Sequence, residues 1–493
     1  MTVSERPGAD NPVMVAETEL RAGALRLPGV LFQGLTQMAP ATALLFTIQF
    51  TTTQAGIAAP LAYLVAFPIV VVLGVCLMQM AKYLPSAGGY YTYISKTVHP
   101  RVGFLASWLS FLYAPMVAGF LLAFFGSVLE QALKGAYGMV FPWWIFLLLA
   151  GSFVGFVTYR GIEVSAQSMV FLGAAGVGIA LVLSLWGFFR PGAGGINLTA
   201  FNPSNALSRS GLFLGVIFSI FAFNGWQSVA PLAEESENPR QTLPRAMLIS
   251  ILVMGVFLVI GSWGLLLGWG TDKLASFISS RENPTFVLAR AYWGNAWVLV
   301  LLALLNSVVA AAIAGNTGAT RVWFGMARSG SLPRALAKVH PKYKTPANGV
   351  KLQILLTFAL GLGLGWWIGP GKEFEFMGTM LTFAMILVFS AANLGVFLYH
   401  FRERRKEFRV FLHAIFPLVG TLALFFVAYS SLTPWPAPPI GYTPWVVVIW
   451  LALGLMVLLV MKLTGKEDWL AEAGRVAQER VETAEEASHR PVI

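Results

Sequence analysis

The side chains that could do chemistry in this sequence are few, and they stand inside long apolar stretches. Residues 223–226 (FNGW) interrupt an apolar run that begins at Gly211. Asn and Gly are poor helix residues, because Asn competes for backbone hydrogen bonds and Gly adds backbone freedom. A break of this kind leaves backbone N–H and C=O groups unpaired, and such groups can bind a small polar molecule. The alternative interpretation is a kinked helix that packs a glycine against a neighbour.

A second interruption stands near the start of the chain. The apolar run from Leu27 to Phe50 contains residues 37–42 (QMAPAT). Proline removes a backbone donor and clashes with the preceding turn of a helix, so we expect this helix to be broken as well. Unpaired backbone groups are tolerated inside a membrane only where protein, water or a ligand pairs them.

The residue types needed for catalysis do not form a recognisable set. The histidines stand in loops or at the ends of apolar runs: His99, His340, His400, His413 and His489. An intramembrane protease would need Ser with His, a His-Glu-x-x-His helix or paired aspartates. The single cysteine, Cys76, lies in an apolar run and offers neither a disulfide nor a thiolate metal site. We therefore expect no enzyme activity, no cofactor and no bound metal.

Composition places the two interruptions in a membrane protein. The 493 residues are 57% hydrophobic and 11% charged, with a mean hydropathy of +0.71, whereas soluble domains average about 25% charged residues. Apolar runs of about 20 residues recur along the chain. The sequence therefore predicts an all-α polytopic membrane protein with about 12 transmembrane helices, the eighth over residues 291–326.

Lys and Arg are unevenly distributed between the loops that join the predicted spans. Only seven of the 33 fall into one set of alternate loops: Lys134, Arg190, Arg209, Lys273, Arg281, Arg290 and Lys372. The other loops and both ends of the chain carry the rest, which is the positive-inside bias. We therefore expect a multi-pass protein of the cytoplasmic membrane with both termini in the cytoplasm. The bias explains the net charge of +11 without a nucleic-acid partner.

Three motifs, in order along the chain, resemble those of the amino acid–polyamine–organocation (APC) permeases. Residues 221–245 (FAFNGWQSVAPLAEESENPRQTLPR) are similar to that family's run with E-E-x-x-N-P followed by L-P-R. Residues 85–93 (PSAGGYYTY) resemble its P-x-A-G-G-x-Y-x-Y motif, and residues 321–341 resemble the segment after its eighth helix. The chain is therefore identified as a bacterial amino acid permease of the APC superfamily.

This resemblance implies a LeuT-type fold with 5+5 inverted repeats, in which helices 1 and 6 are broken and two further helices are peripheral. The implied segments are a cytoplasmic N-terminal tail (1–24), the first repeat (25–190), an external loop (191–209), the second repeat (210–400), helices 11 and 12 (401–463) and a cytoplasmic C-terminal tail (464–493). Interrupted apolar segments at matching places in two halves independently indicate a transporter with a site near the midplane.

In the family that the sequence resembles, the substrate lies between the two breaks. The implied substrate-binding residues are Gln37, Met38, Ala39, Pro40, Ala41, Thr42, Phe221, Ala222, Phe223, Asn224, Gly225 and Trp226. An amino acid fits such breaks, because a half-helix N-terminus attracts a carboxylate and opposing C-terminal carbonyls accept hydrogen bonds from an ammonium group.

Gating roles are predicted for two aromatic and two acidic residues. Phe221 or Phe223 would gate the site, and Glu234 and Glu235 would pair with cytoplasmic arginines as an inner gate. For each of these residues, structural packing or pairing is the alternative role.

Acidic side chains are missing from the middle of the predicted spans. A charge inside the membrane costs on the order of 3 kcal/mol or more, so a carrier keeps one only where it is used. A site for arginine, lysine or a polyamine would be expected to use a carboxylate. We therefore predict a secondary active transporter of a neutral amino acid that works by alternating access. The alternatives are transport of polyamines or other organic amines, and an amino acid sensor with little flux.

The coupling ion, a proton or sodium, stays open, as does the choice between uniport, symport and exchange. Some proton-coupled members of the family carry a lysine on the fifth helix, but residues 166–189 contain neither Lys nor Arg. Thr42, Asn306 and Ser307 offer oxygens to a cation, although such residues more often hydrogen-bond between helices.

Overall fold

The computed structural model describes residue 20 and residues 23–280, 282–328 and 332–464, with the backbone alone for 162–172. Nearly all of both predicted tails lies outside these residues. Apart from one isolated bridge between Leu25 and Ser236, the regular secondary structure of the described chain is helical. The predicted all-α class is confirmed.

Eight α-helices follow one another in the first half of the described chain. They are α1 Leu27–Gln37, α2 Pro40–Leu45, α3 Thr47–Ala55, α4 Ala59–Tyr83, α5 Tyr90–Thr97, α6 Pro100–Tyr137, α7 Trp143–Arg160 and α8 Ile162–Phe189. The short helix α5 follows the Gly-Gly turn of residues 88–89 and is buried against α6 and the later part of the chain.

The second half adds nine α-helices and several short elements. The α-helices are α9 Arg209–Ala222, α10 Pro239–Trp269, α11 Leu274–Ile278, α12 Pro284–Trp293, α13 Val298–Arg328, α14 Ala347–Ile368, α15 Pro370–Arg402, α16 Phe416–Ser431 and α17 Thr443–Leu463.

Short helical elements occur in both halves of the described chain. The 3₁₀-helices are Gly56–Ala58, Thr199–Phe201, Pro203–Asn205, Trp226–Glu235, Thr271–Lys273, Gly294–Trp297, Arg334–Ala337, Arg405–Glu407 and Ile440–Tyr442, and a π-helix spans Phe411–Ile415.

Ten helical stretches among the described residues are long and apolar enough to cross a membrane. With the broken first segment and the 28-residue helix α8, the number of membrane-spanning segments among the described residues agrees with the predicted number of about twelve. The molecule is therefore a multi-pass membrane protein.

The eighth span starts later than the sequence suggests. An apolar run predicted one helix over residues 291–326, but α12 ends at Trp293 and α13 begins at Val298. Gly294 between them has φ +54° and ψ −127°, a conformation that residues with a side chain rarely adopt. The prediction was wrong here because apolar periodicity does not detect a single glycine turn between two apolar helices.

The helices before residue 190 and those from residue 209 to residue 402 pack in matching ways. Helix α1 contacts α10 as α9 contacts α4, and α8 packs on α13 as α15 packs on α6. Corresponding helices of the two groups thus have corresponding neighbours. This pattern is what two inverted repeats would produce, and the boundaries 25–190 and 210–400 stay a prediction.

The core lies around the two broken segments, and the last two helices lie outside it. The apolar window of α6 is 72% buried, whereas the windows of the last two spans are 28% and 11% buried. Leu418, Leu422 and Leu455 on these helices are more than half exposed, as lipid-facing side chains are. Every residue of α2 in the first broken segment is also buried, whereas α16 and α17 form a peripheral flank.

Candidate functional site

The first break falls at Met38 and Ala39, inside the predicted interval. Helix α1 ends at Gln37, and Ala39 has the left-handed conformation, with φ +48° and ψ +61°. Pro40 then starts α2, where its missing N–H costs nothing because the first N–H groups of a helix have no intrahelical acceptor. The N–H groups of Ala41 and Thr42 in the same turn are likewise without an intrahelical acceptor.

The second break follows Ala222, where α9 ends. Gly225 has φ +139° and ψ −28°, and a 3₁₀-helix over Trp226–Glu235 continues the chain. The Gly225 N–H donates to Gln227 Oε1 (2.8 Å), and Gln227 Nε2 donates to Asn224 Oδ1 (2.6 Å). Gln227 is absent from the predicted site residues, although its spacing of three from Asn224 allows this contact in any tight helical turn.

The two breaks touch each other through Gly225. A Cβ atom at this position would lie 2.5 Å from the backbone nitrogen of Met38 and 2.6 Å from the carbonyl carbon of Gln37. Real Cβ atoms do not approach backbone so closely, so only glycine fits. The sequence predicted both breaks, and the structure brings their backbones into contact.

A small cavity of about 50 Å³ lies against both breaks. One water needs about 10–15 Å³ by this measure, so the space holds a few waters or a small molecule. Seven of the predicted residues line it: Gln37, Met38, Ala39, Thr42, Phe221, Ala222 and Asn224. Pro40, Ala41, Phe223, Gly225 and Trp226 do not line it.

The two aromatic residues of the second break that do not line the cavity pack between helices. The Phe223 ring stacks on Phe67 of α4, with ring centroids 6.0 Å apart and planes at 8°. The Trp226 ring stacks on Phe389 of α15 at 5.6 Å and 6°. Both side chains are buried, so they fix the second break against its neighbours.

Seven further lining residues come from elsewhere in the chain: Ala43, Thr47, Val117, Phe120, Leu121, Phe374 and Leu381. Nothing in their local sequence marks them, because they are ordinary residues of apolar helices. Ala43 and Thr47 follow the first break on α2 and α3, and the position of the other five depends on how α6 and α15 pack against the breaks.

The polarity of the cavity comes from amides and hydroxyls. No acidic or basic side chain lines the cavity in the part of the chain that the structure describes. Thr42 Oγ1 donates to the Leu304 carbonyl of α13 (3.5 Å), whereas Gln37 Oε1 is buried with no hydrogen-bond partner among the described residues. The cavity therefore offers neutral polar groups to whatever binds there.

An aromatic cluster closes one end of the cavity. Its members are Phe46, Phe120, Phe124, Phe221 and Phe374, with centroid distances of 5.6 Å for Phe221–Phe374, 5.0 Å for Phe124–Phe374 and 4.1 Å for Phe46–Phe124. Beyond it lies a vestibule of about 410 Å³, lined by Phe46 and Phe124 together with Gln49, Gln131, Glu282 and Arg290. The rings thus separate the vestibule from the cavity.

An ion-pair layer lies beyond the second break, towards the basic loops. Arg321 of α13 donates from Nε to Glu235 Oε2 (2.9 Å) and from Nη2 to Glu235 Oε1 (3.3 Å), and both side chains are buried, at 1% and 0% exposed. Glu234 pairs with Arg328 and accepts a hydrogen bond from the Ala87 N–H (3.3 Å). Glu234 and Glu235 therefore join the second break to α13 and to the Gly-Gly turn before α5.

Backbone hydrogen bonds tie the two broken segments together at this same end. The Leu25 N–H donates to the Glu235 carbonyl (2.9 Å), and the Glu237 N–H donates to the Leu25 carbonyl (2.8 Å). The chain entering α1 is thereby fastened to the end of the 3₁₀-helix. The aromatic cluster and the ion-pair layer thus lie on different sides of the two breaks.

Comparison with known proteins gives matches over most of the chain. The family model for amino acid permeases matches residues 29–472. The chain is 25% identical to the low-affinity putrescine importer of Escherichia coli (strain K12), over 83% of this chain and 88% of that protein. It is 25% identical to the serine/threonine exchanger of Bacillus subtilis (strain 168), over 73% and 79% respectively. It is also 26% identical to the lysine-specific permease of Lactococcus lactis subsp. cremoris (strain MG1363), over 81% of each chain.

Proposed function

Because this chain belongs to the amino acid permease family and is therefore a membrane transporter rather than an enzyme, we propose that it moves neutral amino acids across the cytoplasmic membrane. The observation that carries this proposal is the small cavity between two broken helices, whose lining has polar groups and no charged side chain in the described chain. Transport proceeds by alternating access, with the aromatic cluster and the ion-pair layer opening in turn.

A zwitterion satisfies the backbone groups that the breaks expose. Its carboxylate accepts a hydrogen bond from the first turn of α2, where Thr42 lines the cavity and its N–H lacks an intrahelical acceptor. Its ammonium group donates to the carbonyls that end α1 and α9, the negative ends of those helix dipoles. Met38 and Asn224 line the cavity beside these ends and belong to the same site.

The uncharged lining favours a neutral substrate over a cationic one. A second ammonium group, as in lysine or a diamine, would enter a space that has no carboxylate among its described lining residues, and a buried unpaired charge is costly. The names of the relatives include both neutral and cationic substrates, so the preference for a neutral substrate rests on the cavity lining alone.

Phe221 acts as the outer gate in this proposal, and Glu235 with Arg321 acts as the inner gate. Phe221 lines the cavity and contacts Phe374 of α15, whereas Phe223 packs on Phe67, so the gating role falls to Phe221 of the two candidates. Opening the inner end requires separating Glu235 from Arg321 and the backbone near Leu25 from the 3₁₀-helix. The inner end faces the cytoplasm together with the basic loops, and the coupling ion is a proton or sodium.

Amine transport is the second candidate function. It is favoured by the likeness to a putrescine importer and by Glu373, which is 1% exposed and precedes Phe374 of the aromatic cluster. The Glu373 carboxylate has no hydrogen-bond partner among the described residues. It does not line the cavity, so a diamine would reach it only if the aromatic cluster rearranged.

Uptake by the purified protein in liposomes tests the proposal. The panel is labelled alanine, serine, leucine, lysine and putrescine, each with an inward proton gradient, an inward sodium gradient or no gradient, and with protein-free liposomes as the control. We expect uptake of neutral amino acids and none of putrescine above the control. Uptake of putrescine or lysine without any neutral amino acid would contradict the proposal, and binding without flux would make the protein a sensor.

A further inference from the structure

A basic pocket of about 590 Å³ lies where α15 ends and the chain turns towards α16. We call it the elbow pocket. Its cationic side chains are Lys96, Arg402, Arg404, Arg405 and Lys406, against two carboxylates, Glu403 and Glu407. The pocket is at the same end of the molecule as Tyr83, the last residue of α4, and is separate from the cavity at the breaks.

Glu407 is already engaged by its neighbours. The Tyr83 hydroxyl donates to Glu407 Oε2 (2.6 Å), and Arg404 Nη1 donates to Glu407 Oε1 (2.9 Å). These two hydrogen bonds hold the pKa of Glu407 below its usual range, and the one from Tyr83 has the larger effect. The Arg404 guanidinium also lies over the Tyr83 ring, 4.5 Å from its centroid. This trio forms a fixed wall of the pocket and leaves Glu407 little capacity to neutralise other cations.

Four cations of the pocket have no carboxylate within 4.0 Å in the described part of the chain: Lys96, Arg402, Arg405 and Lys406. Three of them stand on one short connection, and Lys96 faces them from α5. Glu403 is the single remaining acid of the lining. The pocket thus concentrates positive charge that the protein itself does not pair.

Apolar side chains flank the connection that forms the pocket. Phe401 is 48% exposed, Val410 is 61% exposed and Phe411 is 65% exposed, at the ends of two membrane-spanning helices. Such exposed apolar residues at a span end face lipid chains. A polar, cationic hollow beside a lipid-facing surface matches a molecule with an anionic head and apolar tails.

We propose that the elbow pocket binds the phosphate of an anionic phospholipid headgroup at the cytoplasmic surface of the membrane. Guanidinium groups match phosphate oxygens in bidentate geometry, and basic pockets beside transmembrane helices bind anionic headgroups. The acyl chains lie along Phe401 and Phe411. This inference does not depend on which substrate the protein transports.

Native mass spectrometry of the full-length protein in detergent tests the site by counting bound lipid during titration with phosphatidylglycerol. The test variant is Arg402→Gln/Arg405→Gln/Lys406→Gln. The matched control is Arg334→Gln/Lys338→Gln/Lys342→Gln, which removes three exposed charges from the other basic loop. Parallel titrations use phosphatidylcholine, which has no net charge, and phosphatidylglycerol with inorganic phosphate as a competitor.

We expect the wild-type protein and the control variant to bind phosphatidylglycerol and to discriminate against phosphatidylcholine. The test variant should bind phosphatidylglycerol on the order of 100-fold more weakly, because each of the three basic residues contributes about 1 kcal/mol near the membrane surface. Equal losses in both variants would mean a general surface-charge effect and would overturn the proposal. Unchanged binding by the test variant would also overturn it, and full displacement by inorganic phosphate would make the ligand a free anion rather than a lipid.

Discussion

At the scale of single residues, the cavity obtains its polarity from side chains that carry no charge. Gln37, Thr42 and Asn224 face it or border it, and Gln227 satisfies the Gly225 N–H that the second break would otherwise leave unpaired. Unpaired backbone groups inside a membrane are costly. Because Gln227 already accepts the hydrogen bond of the Gly225 N–H, a substrate does not have to pair that group. We propose that the backbone groups left at the breaks pair with the carboxylate and ammonium groups of an amino acid.

Phe221→Ala tests the outer gate. The change removes a ring that lines the cavity and contacts Phe374 at 5.6 Å. An aromatic pair contributes about 0.5–1.5 kcal/mol beyond its buried area, so we expect the apparent affinity for the transported amino acid to fall by up to about tenfold. Uptake kinetics in liposomes measure it. The control is Phe425→Ala on α16, where the ring is 47% exposed; equal kinetics for both variants would remove Phe221 from the gate.

At the scale of elements, the two broken helices behave as one unit. They touch at Gly225, they are tied by two backbone hydrogen bonds at Leu25, and the same 3₁₀-helix carries both acids of the ion-pair layer. We therefore expect a movement of the second break to be transmitted to the first break and to α13. Such coupling is what alternating access around a central site requires.

Gly225→Ala tests the contact between the breaks. The added Cβ would lie 2.5 Å from the Met38 nitrogen, so the breaks must separate. Displacing a working group by about 1 Å costs on the order of 100-fold in activity in enzymes, and we expect a loss of uptake of that order with normal membrane insertion. Gly363→Ala on α14 is the control, since nothing lies within 4 Å of its Cβ position. Normal uptake by Gly225→Ala would contradict the role given to this contact.

Arg321→Met tests the ion-pair layer. It leaves Glu235 buried without its partner, which costs about 3–5 kcal/mol, so the midpoint of thermal unfolding should fall. Arg26→Met is the control, because its ion pair with Glu237 is exposed, at 84% and 53%, and should shift the midpoint little.

The double variant Arg321→Met/Glu235→Gln separates stability from gating. It removes the unpaired charge, so we expect thermal stability to recover while transport stays impaired. If the double variant transported normally, the pair would be structural and the inner gate would lie elsewhere.

At the scale of the whole molecule, the cavity lies between a vestibule and a layer of ion pairs, with basic loops on the side of the ion pairs. The charge bias of the loops predicts that this side faces the cytoplasm. The peripheral helices α16 and α17 take no part in lining the cavity, and the elbow pocket lies on the connection that leads from α15 to α16.

Cysteine labelling in intact cells tests this orientation. The native Cys76 is buried, at 1% exposed, so it gives little background with a membrane-impermeant thiol reagent. We expect Leu198→Cys, in the predicted external loop, to be labelled in intact cells, and Lys342→Cys to be labelled only after the cells are opened. The reverse pattern would invert the topology and place the aromatic cluster on the cytoplasmic side.

Much of the architecture followed from the sequence because its signals are local. Apolar runs, Pro40 and the Asn224-Gly225 pair are read from neighbouring residues, and the structure has breaks at both places. The lining from Val117, Phe120 and Phe374 could not be predicted, since it depends on contacts between helices far apart in the chain. For the same reason the sequence did not separate Phe221, which lines the cavity, from Phe223, which packs on Phe67.

The most direct test of the account is an experimental structure with a transported neutral amino acid bound. We expect the molecule between the two breaks, with its carboxylate within hydrogen-bonding distance of the Thr42 N–H and its ammonium group at the carbonyls that end α1 and α9. Phe221 should cover its side chain. An amino acid bound outside the space between residues 37–42 and 221–226, or held there through a charged side chain, would contradict the account.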